Sequence, residues 1–331
     1  MSRLGLRIEN DPRLSLGDLV DIVQLAEQRG FESVWVPESG GRDALTLLAT
    51  LAQTTQHIKL GTGILPIYGR TPMTIAMSAV GLAFASGNRF LLGLGTGHKS
   101  TVEDLHGVSY GRPMSRMRET VEIISNLLNG ETVTTNGQNF TTRNARLGKS
   151  VQGAKVPMYI AALGPKMVAL TGELADGILL NWTAWQCLDT VISQVKNAAK
   201  SRIHNRPTVD IAGYVRVAVG GDESTARREL QKQISRYASL PHYRDFFESS
   251  GFSEEMRSAQ AALAKGDSEM ASSCISEEMQ NSVAIIGPAE HCIKEIERRR
   301  SLGLQLPVVA PFAIDGNAKQ TYTRTIEAFN E

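Results

Sequence analysis

Four short segments place chemically capable groups just where an extended run ends. Pro37-Glu38-Ser39 offers a carboxylate that can accept a proton, orient a ring or cap the helix that follows; Asp43 competes for the capping role. The stretch Gly61-Thr62-Gly63-Ile64-Leu65-Pro66-Ile67-Tyr68-Gly69-Arg70 is glycine-punctuated, which permits a tight bulge pressed against a flat ligand, or a plain loop. Gly93-Leu94-Gly95-Thr96-Gly97-His98-Lys99 lacks both dinucleotide-fold spacing and a P-loop ending. What remains is a floor poor in side chains with His98 beside it, where a ligand can approach the backbone closely. In Ala161-Ala162-Leu163-Gly164-Pro165-Lys166-Met167, proline takes a first helical position, so free amides there can hold a phosphate, with the Lys166 charge in support.

The elements around these segments alternate between strand and helix from end to end, which argues for a parallel sheet with crossover helices. Strands are predicted over 4–8, 33–36, 58–61, 90–94, 158–161, 177–180, 209–219 and 306–309. Ser15 caps the first helix, where Leu16, Leu19, Val20, Val23 and Ala26 recur at helical spacing. Further helices are predicted over 42–54, 71–85, 114–128, 165–174, 184–201, 224–239 and 288–302, with a β-excursion over 132–146. Residues 240–280 are rich in Ser, Glu and Gln and break the rhythm, reading as short helices inserted before the last barrel unit. Eight parallel units favour a (β/α)8 TIM barrel forming one domain over 1–331, with the insertion at about 240–280. Such barrels build their sites at the carboxyl ends of the strands, so the four segments are expected to converge.

Composition narrows the partners. The 331 residues carry a formal charge of +1, and the one dense basic run, 294–300, is interleaved with Glu295 and Glu297. That is the pattern of a solvated helix face, so no nucleic-acid partner is expected. Cys187, Cys274 and Cys292 lie far apart and form no ligand cluster, so neither a metal site nor a disulfide framework is expected. The chain enters its first strand without an apolar signal core, and no run approaches the ~18 apolar residues of a membrane span. A cytoplasmic enzyme acting on a small-molecule substrate is the expectation.

Taken in order, five stretches resemble the luciferase-like monooxygenase and deazaflavin-dependent reductase superfamily over nearly the whole chain. They are Phe31-Glu32-Ser33-Val34-Trp35-Val36-Pro37-Glu38, Ile58-Lys59-Leu60-Gly61-Thr62-Gly63-Ile64, the 87–97 segment ending in Gly95-Thr96-Gly97, His106-Gly107-Val108-Ser109-Tyr110-Gly111-Arg112-Pro113, and Ala161 to Met167 with Ala175-Asp176-Gly177. The resemblance implies a planar redox cofactor in the barrel mouth, backed by a bulge at Gly61, Gly63 and Ile64 with a non-proline cis bond at Gly63–Ile64. It implies a phosphate held between Gly95, Thr96, Gly97 and the Ala161, Ala162, Gly164, Pro165, Lys166, Met167 turn. Gly-Pro-Lys-Met and the Arg42-Asp43-Ala44 helix start resemble the coenzyme F420 branch, including methylenetetrahydromethanopterin reductase-like proteins, more than the luciferases. F420 is therefore the expected cofactor, with FMN as the alternative. An FMN-dependent monooxygenase and a non-catalytic flavin-binding barrel are the competing functions. Glu38 and His98 are the expected catalytic, proton-handling groups; Tyr68, Arg112 and Trp182 are expected to line the substrate cavity. Many members of the branch carry an acid–histidine pair after the second strand, whereas here Ser39 follows Glu38. A homodimer is also implied.

Overall fold

The computed structural model describes residues 3–9, 11–148, 154–201, 208–312 and 316–329. Helix α1 (Leu16–Gln28) begins where the sequence predicts: the Ser15 hydroxyl accepts from the Asp18 amide, and the Asp18 carboxylate accepts from the Ser15 amide. Its Leu19, Ile22, Val23 and Ala26 face inward. Asp43 caps α2 (Ala44–Thr54) and Thr71 caps α3 (Pro72–Ala85), each through its side chain.

Eight strands close on themselves: β1 (Gly5–Arg7), β2 (Ser33–Val36), β3 (Lys59–Thr62), β4 (Phe90–Gly95), β5 (Met158–Ala161), β6 (Gly177–Leu180), β7 (Asp210–Val219) and β8 (Leu306–Pro311). Each pairs in parallel with the next, and β8 pairs with β1, so the sheet is a (β/α)8 barrel. All eight are the predicted strands. The barrel interior is packed with Trp35, Leu91, Tyr159, Leu179, Ala212, Tyr214, Leu306 and Val308. Trp35 meets Tyr159 edge to face at 5.1 Å. At the amino-terminal end Arg3 bridges Glu32 and Asp210, each at 2.7 Å. The expected β-excursion is an antiparallel hairpin, Val133–Asn136 with Thr141–Ala145.

The remaining helices are α4 (Pro113–Leu128), α5 (Pro165–Leu174), α6 (Leu188–Ala199), α7 (Glu223–Arg236), α8 (Pro241–Ser249), α9 (Ser253–Ala264), α10 (Ser268–Ser273), α11 (Glu277–Val283), α12 (Ala289–Ser301) and α13 (Ala318–Ala328). The short helices α8–α11 fill the segment where the rhythm breaks. Packing joins α7 to them: its Ala226, Leu230 and Ile234 share a second core with Trp182, Tyr243, Phe247, Met256 and Met279. Cys292 and Ile296 of α12 belong to the main core instead, so α12 is the crossover that leads into β8. Among the described residues, four elements have no counterpart in the sequence reading: the short strand Leu65–Pro66, the single π-turn Thr101–Leu105, the strand Ala284–Gly287 beside β7, and α13. Among the described residues no helix is long and apolar enough to cross a membrane.

Candidate active site

Strand β3 breaks where glycines suggested a bulge. Leu60 pairs with Phe90 and Gly61 with Leu91, but beyond the break Leu65 pairs with Leu94 and Pro66 with Gly95, so β3 has gained one residue against β4. Two bonds fix the extra residue: the Gly63 amide donates to Val36 O at 2.6 Å, and Tyr214 Oη donates to Gly63 O at 3.1 Å. The cis bond expected at Gly63–Ile64 is not found; the linkage is trans, and the turn is made by Ile64 at φ 140°. A β-branched residue in that region costs on the order of 1–3 kcal/mol, which the two clamps around Gly63 offset.

The bulge forms one wall of a cleft of about 340 Å³ at the carboxyl ends of the strands. Because β4 and β5 are neighbours, with Leu94 paired to Ile160, their following loops meet over this opening. Thus Gly63, Ile64, Gly95, Thr96, Gly97, His98, Ala161, Ala162, Gly164 and Met167 all face one space, together with Glu38. Helix α5 starts at Gly164 with Pro165 in its first turn and no side-chain cap, so its leading amides are open to an anion. No three His, Cys, Asp or Glu side chains converge as a metal site among the described residues.

Six of the expected site residues lie elsewhere. Gly61 sits inside the barrel, where a Cβ would come within 2.5 Å of the Trp35 ring; it makes room for an aromatic rather than for a ligand. Pro165 and Lys166 point outward from the α5 start and are exposed. Tyr68 is buried behind the wall; its hydroxyl donates to Gly111 O, and its ring stacks at 4.9 Å on Tyr110, which does line the cleft. Burial pushes the Tyr68 phenol up to about 12. Arg112 takes a left-handed turn (φ 51°) ahead of α4 and extends to Gln138 O of the hairpin. Trp182, 1% exposed, packs in the second core with the Arg216 guanidinium 3.2 Å from its ring centre.

The cleft floor and far wall hold residues that the sequence reading missed. Arg7 on β1 lies 4.7 Å from the Tyr214 ring centre, pairs with Glu9 at 2.8 Å, and has an unpartnered Nε. Asn181 accepts from Arg216 Nη1 at 3.1 Å and donates to Tyr243 Oη at 2.7 Å, linking β7 to α8. Burial, with the Arg7 charge added, lowers the Arg216 pKa to about 10. The far wall is Tyr237, His242 and Tyr243.

Glu38 is already engaged. Arg70 Nη1 reaches one carboxylate oxygen at 2.5 Å and Nη2 the other at 3.0 Å, and the same arginine binds Asp43 at 2.5 Å. This bidentate pair ties the β2 loop to the β3 loop. Glu38→Gln is expected to lower the unfolding free energy by about 1–2 kcal/mol. Urea unfolding checks this; an unchanged midpoint would show that the pair contributes nothing.

His98 Nδ1 and His242 Nε2 are 3.3 Å apart. Burial holds the His98 imidazole below its usual range, and burial with the His98 charge brings His242 to about 4. The folded protein therefore binds these protons more weakly than the unfolded chain, whose histidines titrate near about 6.5. Stability must fall as pH drops from about 6.5 toward 4. His242 is exposed at the rim, so solvent screening limits its share to about 1 kcal/mol. His242→Phe is expected to flatten this slope, read as urea midpoints at the two ends of that range; parallel slopes would rule the histidine out.

Known proteins of similar sequence share this fold. The chain is 30% identical over 301 residues, 90% of each chain, to the 5,10-methylenetetrahydromethanopterin reductase of Methanolobus tindarius. It is 30% identical over 321 residues, 95% of each, to the enzyme of that name from Archaeoglobus fulgidus. Its structure resembles the coenzyme F420 dependent tetrahydromethanopterin reductase of Methanopyrus kandleri, with a TM-score of 0.82 at 24% identity over 99% of this chain and 97% of that one. An F420-dependent secondary alcohol dehydrogenase follows the same fold, with a TM-score of 0.77 at 19% identity over 100% and 99% of the two chains. Residues 4–306 match the luciferase-like monooxygenase family, and the chain belongs to it.

Proposed function

We propose that the protein is an oxidoreductase that exchanges a hydride between coenzyme F420 and a small organic substrate. The observation that carries this reading is the single cleft in which the Ile64 bulge, the Gly95-Thr96-Gly97 loop and the open start of α5 face one another. A flat ring fits against Ile64, and an anionic tail fits the uncapped amides at Gly164–Met167, where a Cβ on Gly164 would meet nothing within 4 Å. A putative coenzyme F420-dependent oxidoreductase of Mycobacterium tuberculosis, 26% identical over 320 residues and 91% of each chain, favours F420 over FMN. When bound, a deazaflavin supplies a carbon centre that gives or takes a hydride without a flavin's oxygen chemistry.

The chain's own share is positioning and proton management. Ile64 backs the ring, and Thr96, Gly97, Gly164 and Met167 hold the tail. Glu38, locked to Arg70, shapes the rim, which leaves His98 as the proton-handling group closest to an open face. The substrate enters over the Arg7 floor, against the face that His98 and the Tyr237–Tyr243 wall form together. Two copies of the chain are proposed to pair, which light scattering of the purified protein tests.

Fluorescence titration of the apoprotein with F420 and with FMN decides the cofactor. Saturable F420 binding in preference to FMN supports the reading. Preference for FMN points to the monooxygenase instead, and binding of neither points to a silent barrel.

A further inference from the structure

The insertion contributes a histidine to a cleft otherwise built by the barrel. His98 leaves the end of β4, and His242 stands in the first turn of α8. Their rings lie 5.4 Å apart at 31°, with Nδ1 of His98 3.3 Å from Nε2 of His242. Both rings rest on Tyr243, at 5.7 and 4.9 Å, and Tyr237 closes the other side of His98 at 6.2 Å. The remaining nitrogens, Nε2 of His98 and Nδ1 of His242, have no protein partner among the described residues. His98 is half-buried within the cleft, whereas His242 is exposed at its rim.

We propose that this pair is a two-imidazole proton relay between the cleft and solvent. The relay rests on the hydride-transfer reading, and it completes that reading's proton balance. Oxidising a substrate H–C–X–H, where X is oxygen or nitrogen, sends the carbon's hydride with its electron pair to the deazaflavin and releases the proton on X. His98 Nε2 takes that proton, the Nδ1 proton of His98 crosses to His242 Nε2, and the Nδ1 proton of His242 leaves to water. Each imidazole is neutral before and after, and only its tautomer has changed. Reduction runs the same steps in reverse.

Neutrality matters at this position. Two guanidiniums, Arg7 on the cleft floor and Arg216 buried behind it, act on Tyr243 and Tyr214, with Glu9 as the carboxylate paired to Arg7, while Asp245 is the acidic group acting on His242 from α8. A lone imidazolium would add a third cation to this region, at a cost that passing the proton through avoids. In this scheme His98 is the catalytic residue, and His242 acts through it.

The test uses full-length protein labelled with nitrogen-15 histidine, compared by NMR with His242→Phe, which keeps a ring against Tyr243. Wild type is expected to show scalar coupling across the His98–His242 hydrogen bond and both rings as tautomer mixtures. His242→Phe is expected to lose the coupling, lock His98 into one tautomer and slow its imidazole proton exchange, with the thermal midpoint held. Wild type without the coupling, or His98 in the same single tautomer in both proteins, overturns the relay. F420 titration of the same samples separates the two ideas. An intact coupling in a protein that does not bind F420 overturns the hydride reading and the relay's role in it, whereas F420 binding without the coupling overturns the relay alone.

Discussion

Gly63→Ala is expected to weaken F420 binding by about a hundredfold or more, near 2.7 kcal/mol, and to lower stability by about 1–3 kcal/mol. Its Cβ would sit 2.7 Å from Pro37 N, 2.9 Å from Val36 C and 2.8 Å from Tyr214 Oη. Two of these are backbone atoms of the neighbouring strand, which cannot swing aside as the tip of a side chain can. The Gly63 amide and carbonyl are also both bonded, to Val36 and Tyr214, so relief must come from moving the bulge itself. That displaces Ile64, whose unusual backbone exists only because its neighbours impose it. Gly95→Ala is the milder companion, since its Cβ would meet the Ile64 side chain, 2.7 Å from Cδ1, and a rotamer change relieves part of the clash. Gly81→Ala, at an exposed position of α3 with open space around it, is the control. Fluorescence titration and thermal unfolding of the three variants check the order; Gly63→Ala binding F420 like wild type would sink the bulge as the ring's backing.

The contrast between these glycines shows what a sequence can convey about a site. The glycines at the end of β3 left a bulge and a plain loop both open, and the family resemblance favoured the bulge; the convergence of the β4 and β5 loops followed from barrel geometry once eight strands were counted. Side-chain direction was not legible. Gly61 and Gly63 belong to one motif, yet one faces Trp35 inside the barrel and the other Pro37 at its mouth. Tyr68, Arg112 and Trp182 were chosen for type and place in the chain; Tyr68 and Trp182 are buried behind the cleft, and Arg112 is exposed and reaches the hairpin. Strand β7 did carry a usable signal. Ala212, Tyr214 and Arg216 alternate at a period of two, so an arginine in an apolar ten-residue strand was marked for the barrel interior. Arg7, flanked by Leu6 and Ile8, was marked in the same way. His242 and Tyr243 gave no such sign, because only tertiary packing brings the insertion back over the mouth, and the second core that anchors it draws on α7, which the sequence reading placed with the barrel helices.

Arg216 also sets the terms of the second large effect. It is 4% exposed, burial pulls its pKa to about 10, and an arginine nonetheless stays charged at neutral pH. What makes that charge tolerable is the Trp182 ring face and the Asn181 carbonyl oxygen, dipoles in place of a counter-ion. Asn181→Leu takes away the oxygen and also strips the Tyr243 hydroxyl of its donor. The expected loss is about 1.5–3 kcal/mol, the usual range for a hydrogen bond to a charged group, seen as a lower urea midpoint. Asn181→Asp is expected to move the other way. It sets a carboxylate against the guanidinium and can accept from Tyr243, so the buried cation gains a true partner and the protein is at least as stable as wild type. Opposite signs from two substitutions at one position separate electrostatics from packing, since Leu and Asp both replace the amide. If both variants unfolded with wild type, Asn181 would not be the group that makes a buried cation affordable beneath the cleft.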